Sequence, residues 1–379
     1  MKHTNYEQIM ELYDKGLSWD EIRDTLDWFT DTDRKKFYGY RDAMETLSTT
    51  LASDKLDQRL QRIRLNQKIL GLERSINNEQ IRDLALAETL TNQLRQSLKG
   101  FKTPKLNTPP SSINDVDDDL IYIITSSDYH HDGDVLNLEL DFSVMLHRIK
   151  EEVRRHNIRR IIWVEGGDIV EGAGNLRNSQ AQAVKAGMIP QLVQFMGAYL
   201  SFLTELSSVV NIERIITVTS SNHTQLRPMG SKSNELVEED LMLVFASFLD
   251  MTVGKQIPVH AEEQPWFHIG DFSCKLMHGH TIKNKNNLAS EMHSISSYDG
   301  VLYDYIFAGH FHHLEVVDVS EVSDGYDSKY DRQFILLPTS DRKPKSTFEK
   351  DRKLASTPGL GLFCFSEKTG LDWFKKIKL

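Results

Sequence analysis

Five short polar clusters in the C-terminal two thirds of the chain constrain its fold more than any other feature. In chain order they are Asp128-Tyr129-His130, Gly167-Asp168-Ile169-Val170-Glu171, Asn222-His223, His278-Gly279-His280 and Gly309-His310-Phe311-His312. Each cluster follows an apolar run that is typical of a buried strand. Eight of the 14 histidines lie in these clusters or directly beside them, counting His131 and His313. Because open α/β folds place their sites at the carboxyl ends of strands, we expect the five clusters to meet.

The residue types in the clusters are those that bind divalent metal ions. Imidazole nitrogens and carboxylate oxygens together suit transition metals, and two ions about 3.5–4 Å apart need a carboxylate that can bridge them. The clusters therefore predict a metal-dependent hydrolytic site.

The surrounding pattern predicts an α/β fold. Strands are expected at 121–125, 161–164, 215–219, 267–277, 305–308, 314–319, 334–337 and 360–365, and helices at 140–156, 182–207 and 234–248. Strands within and helices outside indicate a layered architecture.

The N-terminal part is predicted to be a separate all-α domain. Residues 6–28 favour two short helices around Gly16-Leu17-Ser18, with Ser18 as N-cap and Glu21 completing a capping box. This pattern resembles the start of a helix-turn-helix that binds nucleic acid or a partner, but a hairpin that only packs a core uses the same residues. Residues 51–98 favour a helical hairpin, with a coiled-coil homodimer as the alternative.

Length and composition set the domain boundaries. A chain of 379 residues suits two domains, and the prolines and acidic residues of 104–118 indicate an extended linker. We therefore expect a helical domain at 1–103, a linker at 104–118 and a catalytic domain at 119–379. Cys274 and Cys364 lie in apolar surroundings and are expected to be reduced core thiols.

Net charge and hydropathy limit the classes of function that this chain can have. The net charge is −10, and the N-terminal 103 residues hold 17 basic and 17 acidic side chains, so the excess belongs to the second part. An acidic balance argues against nonspecific coating of nucleic acid, although a metal centre brings its own positive charge, so nucleic acid stays open as a substrate. The sequence shows neither a membrane span nor a signal-peptide pattern, and a cytoplasmic location is expected.

The clusters, written D-x-H, G-D-x-x-E, N-H, H-G-H and G-H-x-H, resemble in their order the calcineurin-like metallophosphoesterase superfamily. The resemblance covers about residues 119–320. It implies a layered αββα metallophosphoesterase sandwich that holds two divalent ions, with a bridging hydroxide that attacks phosphorus. The layout is loosely similar to the branch of DNA-repair nucleases and related bacteriophage metallophosphoesterases.

The resemblance also assigns roles to individual residues. It implies that Asp128, His130 and His312 bind the first metal, that Asp168 bridges, and that Asn222, His278 and His310 bind the second. His223 is similar to the proton donor or charge stabiliser for the leaving oxygen, and Glu171 to an acid that orients His223. His131, His280 and His313 are expected to lie around the ligands or to face substrate.

Two positions depart from the superfamily's pattern, and a third differs from that of one branch. Ser221 replaces the Gly that usually precedes the Asn, and Thr224 replaces the acidic residue that usually follows the His. Neither change removes a ligand. Gly172 stands where the phosphoprotein phosphatase branch has an Arg that grips phosphate, which disfavours protein phosphomonoesters as substrates.

The loose similarity to the nuclease branch rests on the long segment 171–207, with Asn175, Arg177, Asn178 and Gln180 close to the second cluster. Basic segments favour a polyanionic substrate. They are Lys283 and Lys285, then Arg342, Lys343, Lys345, Lys350, Arg352 and Lys353. A basic run is also common in a solvated loop, but beside a phosphodiesterase site it suits a nucleic-acid strand.

Together these observations predict a binuclear metal phosphodiesterase that is a DNA nuclease. Mn²⁺ is the expected metal because the donors mix oxygen and nitrogen, and Fe, Zn or Ni would suit the same ligands. DNA is the expected partner, through the basic segments and the N-terminal domain. The alternatives are an enzyme for nucleotides, cyclic nucleotides or small phosphoesters, and an adaptor protein that uses the fold as a scaffold.

Overall fold

The computed structural model describes residues 6–26, 34, 36–39, 41–42, 101, 103–106, 119–172, 184–225, 240–319, 332–342 and 357–379. These residues form two compact units, one up to residue 42 and a larger one from residue 101 onward. The predicted helical hairpin at 51–98, most of the 104–118 linker, the polar segment 175–180 and the basic residues 343–353 lie outside the described residues. The domain boundaries stay a prediction.

The N-terminal unit contains two short helices, α1 (Tyr6–Asp14) and α2 (Trp19–Thr25). Ser18 is the N-cap of α2: its backbone N–H donates to the Glu21 carboxylate at 2.7 Å, and its side chain accepts from the Glu21 N–H. The predicted helices and capping box are thus confirmed. Ile9, Ile22 and Phe37 form the buried centre of this unit.

The larger unit alternates strands and helices. Its strands are β1 (Leu120–Ser126), β2 (Arg160–Glu165), β3 (Asn211–Val218), β4 (Val259–Glu262), β5 (Trp266–Ile269), β6 (Phe272–Met277), β7 (Tyr305–Ala308), β8 (Glu315–Asp318), β9 (Gln333–Leu336), β10 (Gly359–Ser366) and β11 (Gly370–Lys378). Its helices are α3 (Val135–His156), α4 (Met188–Ser207), α5 (Leu241–Val253) and α6 (Leu288–Asp299).

The strands form two sheets. The first has six strands in the order β11-β10-β1-β2-β3-β4, and the second has five in the order β5-β6-β7-β9-β8. Strands β1 to β4 are parallel to one another, as are β6, β7 and β9. The sequences of β1, β2 and β7 are nearly continuously hydrophobic, because central parallel strands are covered on both faces.

The two sheets meet through aromatic rings. Phe307 of β7 lies edge-on to Phe363 of β10, with ring centroids 5.7 Å apart, and Tyr305 lies 5.0 Å from Phe365 in the same way. All four rings are buried. They hold one sheet to the other at the centre of the sandwich.

Helices cover the outer faces of both sheets. On the first sheet, the indole N–H of Trp163 donates to the hydroxyl of Tyr199 in α4 at 2.7 Å, and Tyr199 packs against Phe245 of α5. On the second sheet, Met292 of α6 packs in one cluster with Phe334 of β9. The layers run helix, sheet, sheet, helix, so the predicted αββα sandwich is confirmed.

The structure differs from the predicted elements at several points. The single strand expected at 267–277 is the hairpin β5–β6, which turns at Gly270 with φ of 56°. Helix α3 starts at Val135 because the Asp134 side chain caps it, accepting from the Asn137 N–H at 3.2 Å. Strands β4 and β11 and helix α6 were not predicted.

Residues 101 and 103–106 pack on the larger unit. The Phe101 ring lies 4.9 Å from that of Phe248 in α5. The Gln256 side chain accepts from the Leu106 N–H at 3.0 Å and donates to the Pro104 carbonyl at 2.9 Å. No helix in the described part of the chain is long and apolar enough to cross a bilayer.

Replacing Phe307 by Ala is expected to lower the free energy of unfolding by about 3–5 kcal/mol, because the cavity would lie between the two sheets. Phe374→Ala is the matched control, since that ring is 46% exposed and stacks on Phe363 from the rim; its cost is expected to be about 1 kcal/mol. Urea unfolding followed by tryptophan fluorescence, with a chelator present, measures both. Equal costs for the two variants would contradict this account of the sheet interface.

Candidate metal centre

The five predicted clusters meet at one edge of the sandwich. Those after β1, β2 and β3 come from the first sheet, and those after β6 and β7 come from the second. All five strands are parallel within their sheets, so their carboxyl ends share an edge. The site is therefore built by both sheets together.

Three overlapping groups of side chains could each hold a metal ion. Within each group the donor atoms all lie within 4.8 Å of one another. The groups are Asp128, His130 and His312; His130, Asp168 and His223; and Asp168, His278 and His310. Asp168 belongs to two groups, which is the position expected of a carboxylate that bridges two ions.

The donor atoms of the first group aim at a common point. Nε2 of His130 lies 3.2 Å from Nε2 of His312, and Oδ1 of Asp128 lies 3.4 Å from the latter. Two imidazole nitrogens and a carboxylate oxygen facing one another are a donor set that fits a divalent transition ion.

His278 and Asp168 anchor the other end of the site. Nε2 of His278 lies 3.0 Å from Oδ2 of Asp168 and 2.9 Å from Oδ1 of Asn222. Nδ1 of His278 lies 2.8 Å from the Gly166 carbonyl, so this nitrogen carries a proton and Nε2 faces the site. The arrangement brings the predicted residues Asn222 and His278 to the same donor cluster.

The two carboxylates are ionised despite their burial. Burial alone would raise the pKa of Asp128, but the nearby His312 ring holds it well below its usual range. In the same way His278 outweighs burial and lowers the pKa of Asp168. Burial would lower the pKa of His278, and the Asp168 carboxylate instead raises it to about 9.

Main-chain bonds hold the carboxylates in place. The His310 N–H donates to Asp128 at 3.0 Å, and the His223 N–H donates to Oδ1 of Asp168 at 2.9 Å. The Ser127 hydroxyl donates to Oδ2 of Asp128 at 2.5 Å. These contacts tie the first and fifth clusters together, and likewise the second and third.

The ligand backbone adopts the left-handed region that L residues rarely enter. Of the described non-glycine residues with positive φ, all but Asn157 are candidate ligands: Asp128 (55°), His130 (46°), Asp168 (51°), His310 (68°) and His312 (61°). Each such residue stores about 1–3 kcal/mol of strain unless its surroundings hold it. Here the loops after β1 and β2 hold each other: the Asp128 N–H donates to Gly167 and the His130 N–H to Asp168.

Glu171 contacts two of the site histidines. Its carboxylate lies 3.2 Å from Nδ1 of His130 and 3.9 Å from Nδ1 of His223. Its main-chain carbonyl lies 2.9 Å from Nδ1 of His223. Glu171 thus holds His223 mainly through the backbone, and its carboxylate is nearer to His130.

The three remaining histidines lie outside the donor groups formed by the described residues. Nε2 of His131 lies 3.0 Å from the Gln194 side-chain oxygen. Both ring nitrogens of His313 contact oxygens outside the site, those of Phe311 and Glu315. The His280 ring lies 5.5 Å from that of His278, centroid to centroid.

Two positions in or beside the motifs require glycine, because a Cβ atom there would be too close to a neighbouring atom. A Cβ on Gly309 would lie 2.3 Å from the Ser127 hydroxyl. A Cβ on Gly172, where φ is 75°, would lie 2.2 Å from the His223 carbonyl oxygen. An arginine at position 172 would therefore displace the turn that carries His223.

Sequence reasoning missed the residues that support the site. Thr339 donates to the Asp128 carbonyl at 2.8 Å, and the Ser340 N–H donates to the Ser127 carbonyl at 2.8 Å. Both follow β9, a strand with no metal-ligand motif after it. The one available signal was that β9 was itself a predicted strand, so polar residues after it would reach the same edge.

Glu165 was also not predicted, and it is fully buried at the end of β2. The Ser126 hydroxyl donates to its carboxyl group at 2.7 Å. Burial raises the pKa of Glu165 to about 8, so the side chain is neutral at neutral pH. A neutral acid here keeps a third negative charge away from Asp128 and Asp168.

Comparison with known proteins gives partial matches. No protein-family profile matches the sequence. Over 193 residues the chain is 31% identical to the SPbeta prophage-derived uncharacterized protein YonJ of Bacillus subtilis strain 168. The aligned segment covers 50% of this chain and 45% of that protein. The match thus spans less than half the length of this curated relative.

Solved structures show a loose likeness. They include an archaeal phosphodiesterase (TM-score 0.34, 14% identity, 68% of this chain and 100% of that one). The zinc complex of Vps29 from Entamoeba histolytica has a TM-score of 0.30 and 12% identity, over 68% of this chain and 100% of that one. A metallophosphoesterase from Sphaerobacter thermophilus has a TM-score of 0.30 and 16% identity, over 68% of this chain and 88% of that one. These TM-scores are low, so the likeness is one of general fold. In motif order and two-sheet architecture the chain resembles calcineurin-like metallophosphoesterases.

Glu165→Gln is expected to change how stability depends on pH. Because the pKa of Glu165 is raised from 4.5 to about 8 on folding, its contribution is fully present below pH 4.5 and is lost as pH rises towards 8. The limiting slope is about 1.4 kcal/mol per pH unit. Relative to the variant, the parent protein should therefore lose stability between pH 5 and 8 in urea titrations with a chelator present.

Glu152→Gln is the control, because the pKa of Glu152 is shifted in the opposite direction to that of Glu165. Burial opposes the shift, but the Lys375 ammonium, 2.8 Å away, lowers the pKa of Glu152. Its stabilising contribution is present above the ordinary Glu pKa and lost on acidification. Identical pH profiles for the parent protein and Glu165→Gln would contradict a neutral Glu165.

Proposed function

We propose that this chain is a metal-dependent phosphodiesterase that uses two divalent ions and cleaves DNA. The observation that carries the proposal is the convergence of three overlapping donor groups from five loops of both sheets. Catalysis by a pair of ions on a phosphodiester requires such a shared set of nitrogen and oxygen donors.

The geometry suggests how the ligands divide. Asp128, His130 and His312 would hold one ion, and Asn222, His278 and His310 the other, with Asp168 between them. Burial and the neighbouring His278 ring lower the pKa of His310 to about 4, so the His310 ring is neutral at neutral pH. The mixture of oxygen and nitrogen donors favours Mn²⁺, and Fe, Zn or Ni would suit the same set.

When bound, the ions supply Lewis acidity and a water of lowered pKa. The protein's own part is to orient substrate and to move a proton. The His223 ring lies 4.5 Å from that of His130, centroid to centroid. With Nδ1 donating to the Glu171 carbonyl, a protonated His223 can donate from Nε2 to the leaving oxygen.

A phosphodiester suits the site better than a protein phosphomonoester. A phosphomonoester carries an extra negative charge, which an arginine side chain could bind. The crowding at Gly172 leaves no room for an arginine at that position. A diester carries a single charge, which two ions can neutralise.

DNA is the proposed diester for two reasons. Lys283 and Lys285 are exposed in the loop after the fourth cluster, where they can contact backbone phosphates. The curated relative is a prophage-derived protein. The N-terminal helices, with their helix-turn-helix-like start, are proposed to bind DNA or a protein partner. Arg342 is less available, because it pairs with Asp141 at 3.0 Å.

The purified protein is expected to bind two Mn²⁺ ions per chain. Asp168→Asn should bind at most one tightly, since the bridging carboxylate contributes to both ions. Asp119→Asn, an exposed acid that pairs with Lys368, is the matched control and should bind two. Elemental analysis after dialysis gives the stoichiometry. A parent protein that retained no metal would contradict the binuclear proposal.

With Mn²⁺ the protein is expected to cleave end-labelled linear DNA, and His223→Ala should lower kcat by about 10²–10⁴-fold, the usual contribution of a positioned acid. Metal content should not change in this variant. His147→Ala, an exposed histidine on α3, is the matched control and should keep full activity.

Three outcomes separate the proposals. Cleavage that His223→Ala abolishes supports a nuclease. Intact DNA together with hydrolysis of bis(p-nitrophenyl) phosphate or a cyclic nucleotide would replace DNA by a small diester. Metal binding without hydrolysis of any ester would favour an adaptor built on this fold.

A further inference from the structure

The two positions where the third cluster departs from the superfamily pattern are joined in the structure. Ser221 and Thr224 flank Asn222 and His223, and both are fully buried. Their hydroxyl oxygens lie 2.7 Å apart. Both residues also contact Asp240, Thr224 through its hydroxyl and Ser221 through its main-chain N–H. Asp240 lies 16 residues beyond Thr224 in the chain.

Asp240 is a buried carboxylate with a full set of donors. It is 1% exposed and caps the N-terminus of α5. Its Oδ1 accepts from the Met242 N–H at 2.9 Å and from the Thr224 hydroxyl. Its Oδ2 accepts from the Ser220 hydroxyl at 3.0 Å and from the Ser221 N–H at 3.1 Å. Four donors occupy the sites that an ionised carboxylate offers.

The hydroxyl protons define a direction. A Thr hydroxyl has one proton, and the carboxylate of Asp240 is the stronger acceptor near Thr224. The Ser221 hydroxyl must therefore donate to Thr224. The Ser221 oxygen in turn accepts from the Asp168 N–H at 3.0 Å. The result is one relay, from the Asp168 N–H through Ser221 and Thr224 to Asp240.

The main chain reinforces the same connection. The Leu241 N–H donates to the Thr224 carbonyl at 3.1 Å, and Gln225 pairs with Asp240 in an isolated antiparallel bridge. The turn that holds Asn222 and His223 is thus fastened to the start of α5 by both side chains and backbone.

We propose that Asp240 is a positioning residue that acts through Thr224 and Ser221 to set the Asn222-His223 turn against Asp168. The superfamily resemblance puts an acid within this turn, whereas here the carboxylate comes from the N-cap of α5. The relay consists of buried protein groups. Its effect on catalysis rests on the proposed phosphodiesterase function, whereas its effect on metal binding does not.

The test compares two hydroxyls that both donate to Asp240. Thr224→Val breaks the relay with little change in shape, and Ser220→Ala removes a donor that is not part of it. Thr224→Ser restores the hydroxyl. Mn²⁺ affinity by calorimetry is expected to fall about 10–100-fold in Thr224→Val, the usual effect of losing a group behind a ligand. It should stay within about twofold of the parent in Ser220→Ala and Thr224→Ser.

A second readout separates positioning from general weakening of the fold. If the relay aligns His223 as an acid, Thr224→Val should lower kcat more for methyl phenyl phosphate, whose leaving group needs a proton, than for methyl p-nitrophenyl phosphate. The metal-free proteins are compared by their Tm values. A merely structural role would lower both rates equally, in step with Tm.

The outcomes distinguish the two proposals. Unchanged Mn²⁺ affinity and unchanged kcat in Thr224→Val would overturn the relay and leave the phosphodiesterase standing. A parent protein inactive on every diester, with the affinity difference intact, would overturn the phosphodiesterase and leave the relay standing. If Thr224→Val does not fold, Thr224→Ala takes its place in the same comparison.

Discussion

The burial of two like charges at one edge of the sandwich is the constraint on which the rest of the site depends. Asp128 and Asp168 are 0% and 1% exposed, and both are ionised. Removing two carboxylates from water is costly unless cations and hydrogen-bond donors replace the solvent. The surrounding imidazoles, the main-chain N–H groups of His223 and His310 and the neutral Glu165 all reduce that cost. The same arrangement that stabilises the anions leaves oxygen and nitrogen donors facing one space.

Backbone conformation and ligand chemistry favour the same residues here. Five candidate ligands have positive φ. Asn, Asp and His are the non-glycine residues that tolerate this region best, and they are also the side chains that bind divalent ions. A sharp left-handed turn at a strand's end therefore costs least where a ligand is needed. The pairing of the loops after β1 and β2 then keeps those turns in place.

The sequence was sufficient for the layered fold and for the members of the donor groups, because strands with polar ends leave a strong periodic signal. It was insufficient for β4, where no residue is fully buried, for β11, where two residues of nine are buried, and for α6, whose Ser-rich stretch has weak amphipathicity. It also missed Asp240, Glu165 and Thr339. These residues act through contacts between segments far apart in the chain, and a motif cannot express such contacts. Gly172 was noticed as a departure, but its reason, the nearby His223 carbonyl, is visible only in three dimensions.

Because the site contains residues from both sheets, it can form only late in the synthesis and folding of the chain. His130 and His312, whose ring nitrogens lie 3.2 Å apart, are separated by 182 residues. A growing polypeptide cannot present this site until β7 has been synthesised and has docked through its aromatic rings. Any discrimination among metal ions would therefore take place in the folded protein and not in the nascent chain. It would depend on how rigidly the two sheets hold the donor groups against each other.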